Sequence, residues 1–142
     1  KIIMDDYGHW CPLSDRPDGA FGFIYYIENL ITGRRYIGRK QIVSVSMKKV
    51  EGKSRRVKTT KESDWRTYTS SCKELNDDIK KYGKEAFTFV IYEWVQGKGM
   101  LTYREVQEQW LSEVLSREET ESGERLWYNG NIGAVKFIKP KL

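Results

Sequence analysis

The sequence is poor in the residues that build disulfide frameworks and zinc sites. Among its 142 residues are two cysteines, three prolines and one histidine. Cys11 and Cys72 lie far apart, and neither has a Cys or His beside it at metal-ligand spacing, so we expect two free thiols and no zinc site. The single histidine, His9, lies near the amino terminus. The body of the chain therefore has no imidazole to act as a general base.

Long apolar runs are also lacking. No segment approaches the roughly 18 apolar residues of a transmembrane helix, and the first few residues are too short and too soon acidic for a signal peptide. With 39% hydrophobic residues, 142 residues are enough for one domain with its own core. These absences predict a cytoplasmic protein with no membrane partner.

Positive charge is concentrated in one stretch. The net charge is +5 and the isoelectric point is near 9.1, which favours an anionic partner. The stretch holds seven cations and one acidic residue, Glu51, before Glu62. The cations are Lys48, Lys49, Lys53, Arg55, Arg56, Lys58 and Lys61. Such side chains suit contacts with a phosphate backbone, although a solvated charged loop would have the same composition.

The first half of the chain predicts strands. Residues 1–20 have the composition of an irregular leader, whereas the aromatic and β-branched run from Phe21 favours a buried strand. Turn residues at 29–33 and a second strand from Arg35 complete an antiparallel hairpin. Alternation on both sides of Glu51 predicts a second, basic hairpin or a long basic loop.

The second half predicts helices around one more strand. Ser71 and Glu74 have capping-box spacing, and Gly83 would end that first helix. A strand is expected from Phe87 to Trp94. The second helix is predicted from a capping box and an apolar stripe, namely Thr102 with Glu105 and then Tyr103, Val106, Trp110, Val114, Leu111 and Leu115.

The order of these elements predicts one α+β domain. We expect a small antiparallel sheet flanked by helices over residues 21–135, with the basic hairpin or loop as an insertion. Residues 136–142 form a basic tail.

Two short motifs carry a family resemblance. Phe23-Ile24-Tyr25 and Tyr36-Ile37-Gly38 flank an Asn-x-x-x-Gly turn at residues 29–33. This pattern resembles the GIY-YIG nuclease signature, with Phe23 in place of the usual glycine. The resemblance implies a GIY-YIG-like fold and a metal-dependent DNA endonuclease that uses Mg²⁺ or Mn²⁺. The arrangement resembles phage-type and homing-type members more than a restriction enzyme. If a phage encodes the chain, we expect the protein in the cytoplasm of the host cell.

The resemblance also implies the site residues on the hairpin and after it. Tyr25 and Tyr36 would present their hydroxyls at one point, since side chains on adjacent strands can lie about 4.5–5.5 Å apart at Cβ. Tyr68 matches a later position that is His or Tyr in the family. Arg66 is the chosen family arginine, while other cations stay open, namely Arg39, Lys40 and Arg55.

The late helix should provide the metal ligand. Glu108 is the chosen glutamate because it borders the apolar stripe, whereas Glu105 is assigned to helix capping. Asn129 in Tyr128-Asn129 matches a late family asparagine and would organise the site.

Two other functions stay open. Phe23 and the missing histidine could mark a nucleic-acid-binding module of this fold that has lost catalysis. A structural or interaction domain with an incidental hairpin match is the third reading. The target sequence, the oligomeric state and the choice between nicks and double-strand breaks are not predicted.

Overall fold

Two sheets and two helices make up the described part of the protein. The computed structural model describes residues 6–133. The strands are β1 (Cys11–Pro12), β2 (Gly22–Asn29), β3 (Arg35–Gln41), β4 (Val43–Lys48), β5 (Val57–Glu62) and β6 (Phe87–Val95). The helices are α1 (Lys73–Tyr82) and α2 (Lys98–Leu111), and a short 3₁₀ turn covers Lys84–Ala86. The basic tail predicted for residues 136–142 lies outside this range.

The central sheet has the order β1-β6-β2-β3. Strand β2 pairs antiparallel with both β3 and β6, and the two-residue strand β1 pairs parallel with β6. The central place of β2 follows from its sequence, because an almost continuous apolar and aromatic strand can be buried on both faces. The predicted α+β fold with a mostly antiparallel sheet is confirmed.

The segment predicted as an irregular leader contributes to the domain. Cys11 and Pro12 extend the sheet, and Trp10 is buried against the rings of Phe23 and Tyr25. The Trp10 indole nitrogen donates to the carbonyl of Trp65 at 2.6 Å. The leader is therefore hydrogen-bonded to the loop that follows the basic insertion.

Each face of the sheet has its own core. Side chains alternate along β2, so Phe23, Tyr25 and Ile27 pack on the side that also receives Leu75 of α1. Ile24 of the same strand packs on the opposite side with Leu101 of α2. The two helices thus cover opposite faces, and α2 lies along the β3 end of the sheet.

The basic segment forms a hairpin, as one of the two sequence readings predicted. Strands β4 and β5 pair only with each other, and we call residues 43–62 the basic ribbon. Almost all of its side chains are exposed. Ser46 and Thr59 lie opposite each other and share a hydrogen bond of 2.9 Å between their hydroxyls. The ribbon therefore projects its cations into solvent.

Helix α1 begins and ends close to the predicted positions, but without the predicted cap. Its N-cap is Cys72, and no side chain donates or accepts a capping hydrogen bond there. The Ser71 capping box is therefore wrong, and Glu74 pairs with Arg34 at 2.6 Å instead. Gly83 ends the helix with φ 89° and donates its N–H to the Ile79 carbonyl, as predicted.

Helix α2 departs further from the prediction. It begins at Lys98, so Thr102 lies inside the helix and the expected capping box with Glu105 is absent. The expected apolar stripe is largely on the outside, because Tyr103 is 54% and Trp110 71% exposed. The face that meets the sheet is the row Leu101, Glu105 and Gln109. No helix within residues 6–133 combines the length and apolar character needed to cross a bilayer.

Candidate active site

The two motif tyrosines meet diagonally across the β2–β3 hairpin. Tyr25 pairs with Gly38, and Tyr36 pairs with Ile27. The two tyrosines are therefore not directly opposite each other, contrary to the expectation from the sequence. Their rings are nevertheless stacked, with centroids 6.1 Å apart and planes at 30°. The glycine opposite Tyr25 leaves room for this approach. The hairpin therefore brings both phenols to one place by a diagonal contact.

Tyr68 completes a group of three phenols. Its ring lies edge-on to Tyr25, with centroids 6.2 Å apart. The ammonium of Lys40 lies 4.0 Å from the centre of the Tyr68 ring and 2.8 Å from Asp64. Tyr68 thus lies between Tyr25 and Lys40.

Burial keeps Tyr25 and Tyr36 neutral. The pKa of Tyr25 is raised well above its usual value of 10.0 by burial, and the neighbouring Tyr36, Tyr68 and Glu105 raise it further. Burial also raises the pKa of Tyr36 to about 12. Neutral phenols donate and accept hydrogen bonds. At neutral pH, the hydroxyls of Tyr25 and Tyr36 are therefore suited to form hydrogen bonds and not to remove a proton from a ligand.

Glu105 is the carboxylate that lies next to the tyrosines. Its side chain is only 15% exposed, and its charge acts on the pKa of both Tyr25 and Tyr36. Burial raises the pKa of Glu105 more than Arg39 lowers it. The Arg39 guanidinium donates to Glu105 at 3.2 Å and to the Thr102 hydroxyl at 3.0 Å. A buried carboxylate and a guanidinium therefore stand beside the phenols.

Glu108 is not brought to the tyrosines. Its carboxylate accepts a hydrogen bond of 3.0 Å from Arg104, whose other nitrogen donates to Glu93 at 2.8 Å. The reason is the rotation of α2: the stripe that Glu108 borders faces away from the site, and Glu105 lies on the row that faces β3. Glu105, and not Glu108, is therefore the carboxylate that the fold places beside the tyrosines.

Asn129 holds the open edge of β3. Its Nδ2 donates to the Ile37 carbonyl at 2.8 Å, and its Oδ1 accepts from the Ile37 N–H at 3.1 Å. One residue earlier, the Tyr128 N–H donates to the Arg35 carbonyl at 2.7 Å. The segment thus continues the sheet past β3, and the Asn129 amide replaces a strand residue. Asn129 is thus fixed beside Tyr36 by the backbone of Ile37.

A polar cleft opens beside these groups. Its volume is about 310 Å³. Its walls come from β3, α2, the start of α1 and the segment after Asn129, and it is lined by Tyr36, Ser71, Cys72, Glu105, Gln109, Asn129, Gly130, Asn131 and Gly133. Tyr36, the buried carboxylate and the edge amide therefore border one space, and Tyr25 is buried against the Tyr36 ring. We call this space the tyrosine cleft.

Arg66 belongs to a different part of the surface. Its guanidinium packs 4.4 Å from the Trp65 ring, pairs with Glu62 and donates to the Asp6 carbonyl at 2.7 Å. It lines a separate depression at the base of the basic ribbon. Of the alternatives left open, Arg39 and Lys40 lie at the tyrosines, whereas Arg55 is in the exposed turn of the basic ribbon. Arg39 is therefore the candidate guanidinium that contacts Glu105.

The oxygen donors fit a hard divalent cation. Glu105 offers a carboxylate and Gln109 a carbonyl oxygen, both on the wall of the tyrosine cleft. Within residues 6–133 no three His, Cys, Asp or Glu side chains gather as a potential metal site. Mg²⁺ is commonly held by one or two carboxylates, with water and substrate phosphate filling its other positions. The cleft has the donor set for such a weakly anchored ion.

Sequence reasoning set Glu105 aside and did not identify Gln109. One signal was present: Leu101, Glu105 and Gln109 repeat every four residues and so share a helix face. The more apolar neighbouring stripe outweighed it. Nothing in the local sequence indicated that a face with two polar residues would meet the sheet.

Comparison with known families agrees with this geometry. The family model described as "Putative endonuclease segE, GIY-YIG domain" matches residues 8–132. The match includes both motif tyrosines, the basic ribbon and every residue of the tyrosine cleft except Gly133. No curated protein and no solved structure shows significant similarity to the chain.

Proposed function

This chain belongs to the GIY-YIG endonuclease family, and from that premise we propose that it is a metal-dependent enzyme that hydrolyses phosphodiester bonds of DNA in the tyrosine cleft. The observation that carries the proposal is the convergence of Tyr25, Tyr36 and Glu105. They come from two neighbouring strands and a late helix. The rings of Tyr25 and Tyr36 are stacked, and Tyr36 and Glu105 line the same cleft. A nuclease domain acts on nucleic acid. That the nucleic acid is DNA, and that cleavage requires a metal ion, are proposals.

The residues in and beside the cleft would have different roles in hydrolysis. When bound to Glu105, a Mg²⁺ or Mn²⁺ ion would supply positive charge for the phosphate and the leaving oxygen. The neutral hydroxyl of Tyr36 orients the attacking water by hydrogen bonding, and the buried Tyr25 ring holds Tyr36 in position. Arg39 adds a second positive charge to the crowded transition state. Its side chain is 38% exposed, so the guanidinium can turn from Glu105 towards a phosphate.

The basic ribbon would hold the DNA outside the cleft. Its seven cations are opposed by two acidic residues, and the ribbon stands free of the central sheet. We propose that these side chains bind backbone phosphates, which positions a duplex without reading its sequence. The cations are those named from the sequence, Lys48, Lys49, Lys53, Arg55, Arg56, Lys58 and Lys61.

The inactive-module alternative receives little support from Phe23. This residue is fully buried among the rings of Trp10, Trp65 and Trp94. The side chain that replaces the usual glycine therefore fills the core and does not obstruct the tyrosine cleft.

The experiment compares two glutamates on one helix. Supercoiled plasmid is incubated with parent, Glu105→Gln or Glu108→Gln protein, with Mg²⁺ or Mn²⁺. We expect the parent to cut, Glu105→Gln to lose activity on the order of 10²-fold, and Glu108→Gln to stay close to the parent. Equal cutting by Glu105→Gln would remove this carboxylate from the site. A parent that retains DNA but never cuts it would instead support the inactive module.

A further inference from the structure

We infer that Gln109 is a second oxygen ligand, beside Glu105, for the divalent cation of the tyrosine cleft. This inference rests on the proposed function. Gln109 is only 4% exposed, although it is a polar residue on a helix. Its Nε2 donates to the Ile37 carbonyl at 3.0 Å. Its Oε1 is buried and has no hydrogen-bond partner among the described residues.

An unpartnered buried oxygen calls for a physical explanation. Burying a polar atom without a partner is unfavourable, and most buried side-chain acceptors in native proteins are satisfied. A methionine would fill a similar volume without leaving an acceptor unpaired. The Nε2 bond is also not needed to satisfy the Ile37 carbonyl, because Asn129 already donates to it at 2.8 Å. What glutamine adds at this position is therefore a carbonyl oxygen.

The position of that oxygen suits a cation. Gln109 lies one helical turn after Glu105, so the two side chains are neighbours on the same face of α2. Both line the tyrosine cleft. Because Nε2 is directed to Ile37, the amide cannot be reversed without losing that bond, and the oxygen is left as a fixed acceptor. Amide and carboxylate oxygens are suitable ligands for Mg²⁺ and Mn²⁺.

The test measures Mn²⁺ binding without DNA, by calorimetry or by the spin-resonance signal of free Mn²⁺. The variants are Gln109→Met, which removes the oxygen, and Gln109→Glu, which replaces the amide with a charged carboxylate. Gln107→Met is the matched control, since Gln107 is on the same helix but bonds Arg104 outside the cleft. We expect the Mn²⁺ Kd to rise by about tenfold in Gln109→Met, to fall in Gln109→Glu and to stay unchanged in Gln107→Met.

The variants separate this inference from the proposed function. Circular dichroism and a urea titration first establish that each variant is folded. If folded Gln109→Met binds Mn²⁺ as tightly as the parent, Gln109 is not a ligand and its oxygen only accepts from a buried water. If folded Gln109→Glu gains no affinity, the same conclusion follows. If Glu105→Gln keeps the parent's affinity, the metal site itself is misplaced and the proposed function fails with it.

Discussion

The hydroxyl of Tyr25 lies against the α-carbon of Gly38 on the neighbouring strand. A Cβ atom at Gly38 would stand 2.5 Å from the Tyr25 hydroxyl oxygen and 2.9 Å from a ring carbon of Tyr36. Real Cβ atoms essentially never make contacts as short as the first. The glycine of the second motif is therefore required by the two tyrosines and not by its own backbone conformation.

Gly38→Ala should separate the phenols. The added methyl would push Tyr25 and Tyr36 apart within a packed core, and such overpacking typically costs about 1–3 kcal/mol of unfolding free energy. We expect DNA cleavage to fall more than stability alone explains, because the tyrosines lose their relative placement. Plasmid cleavage and urea unfolding measure the two effects.

Gly99→Ala is the control for that change. Gly99 lies in α2 with open space where its Cβ would be, and alanine is the better helix former. We expect unchanged cleavage and stability equal to or above the parent's. A Gly38→Ala protein that cuts as well as Gly99→Ala would show that the tyrosine placement does not matter for catalysis.

The hairpin could be predicted from the sequence because its determinants are local. A central apolar strand, the Asn29–Gly33 turn and the spacing of Tyr25 and Tyr36 fix the pairing within a short segment. Asn29 accepts hydrogen bonds from the N–H groups of Ile31 and Thr32 inside the turn itself. Such features do not depend on the rest of the fold.

The orientation of α2 could not be predicted in the same way. A hydrophobic stripe identifies the buried face of a helix only if the sheet surface that receives it is apolar along its whole length. At the β3 edge that surface includes Arg39 and the backbone of Ile37, so Glu105 and Gln109 find partners there. The choice between Glu105 and Glu108 therefore depended on a tertiary contact.

Glu105→Gln should make the protein more stable at neutral pH while it removes activity. Burial raises the pKa of Glu105, which means that folding favours its neutral form. The stability that goes with that form is fully present below the unfolded pKa, about 4.3, and is lost as pH rises through the folded pKa. A glutamine avoids this loss. We expect a higher Tm for the variant at pH 8, with the difference shrinking towards pH 4.

Added metal supplies the complementary measurement for Glu105→Gln. If Glu105 binds the cation, Mg²⁺ or Mn²⁺ should raise the Tm of the parent at pH 8, since a ligand that binds only the folded state stabilises it. The variant should show little response. A variant that is less stable than the parent at pH 8 would mean that the ion pair with Arg39 outweighs burial, contrary to the direction of the pKa shift.

The basic ribbon should set the salt dependence of DNA binding. Replacing Lys53, Arg55 and Lys58 with glutamine removes three exposed cations from the ribbon and its turn. Each lost phosphate contact lowers the slope of log K against log salt by about 0.9. We expect weaker binding and a slope reduced by up to about 2.7, measured by fluorescence anisotropy on a duplex without divalent ions.

A triple variant on α1 controls for net charge. Lys73, Lys80 and Lys81 are exposed on helix α1, outside the basic ribbon. Replacing them with glutamine changes the net charge by the same amount. If DNA contacts depend on the ribbon and not on total charge, this control keeps the parent's slope. Equal slopes in the two triple variants would show that the ribbon cations are solvated and hold no phosphate.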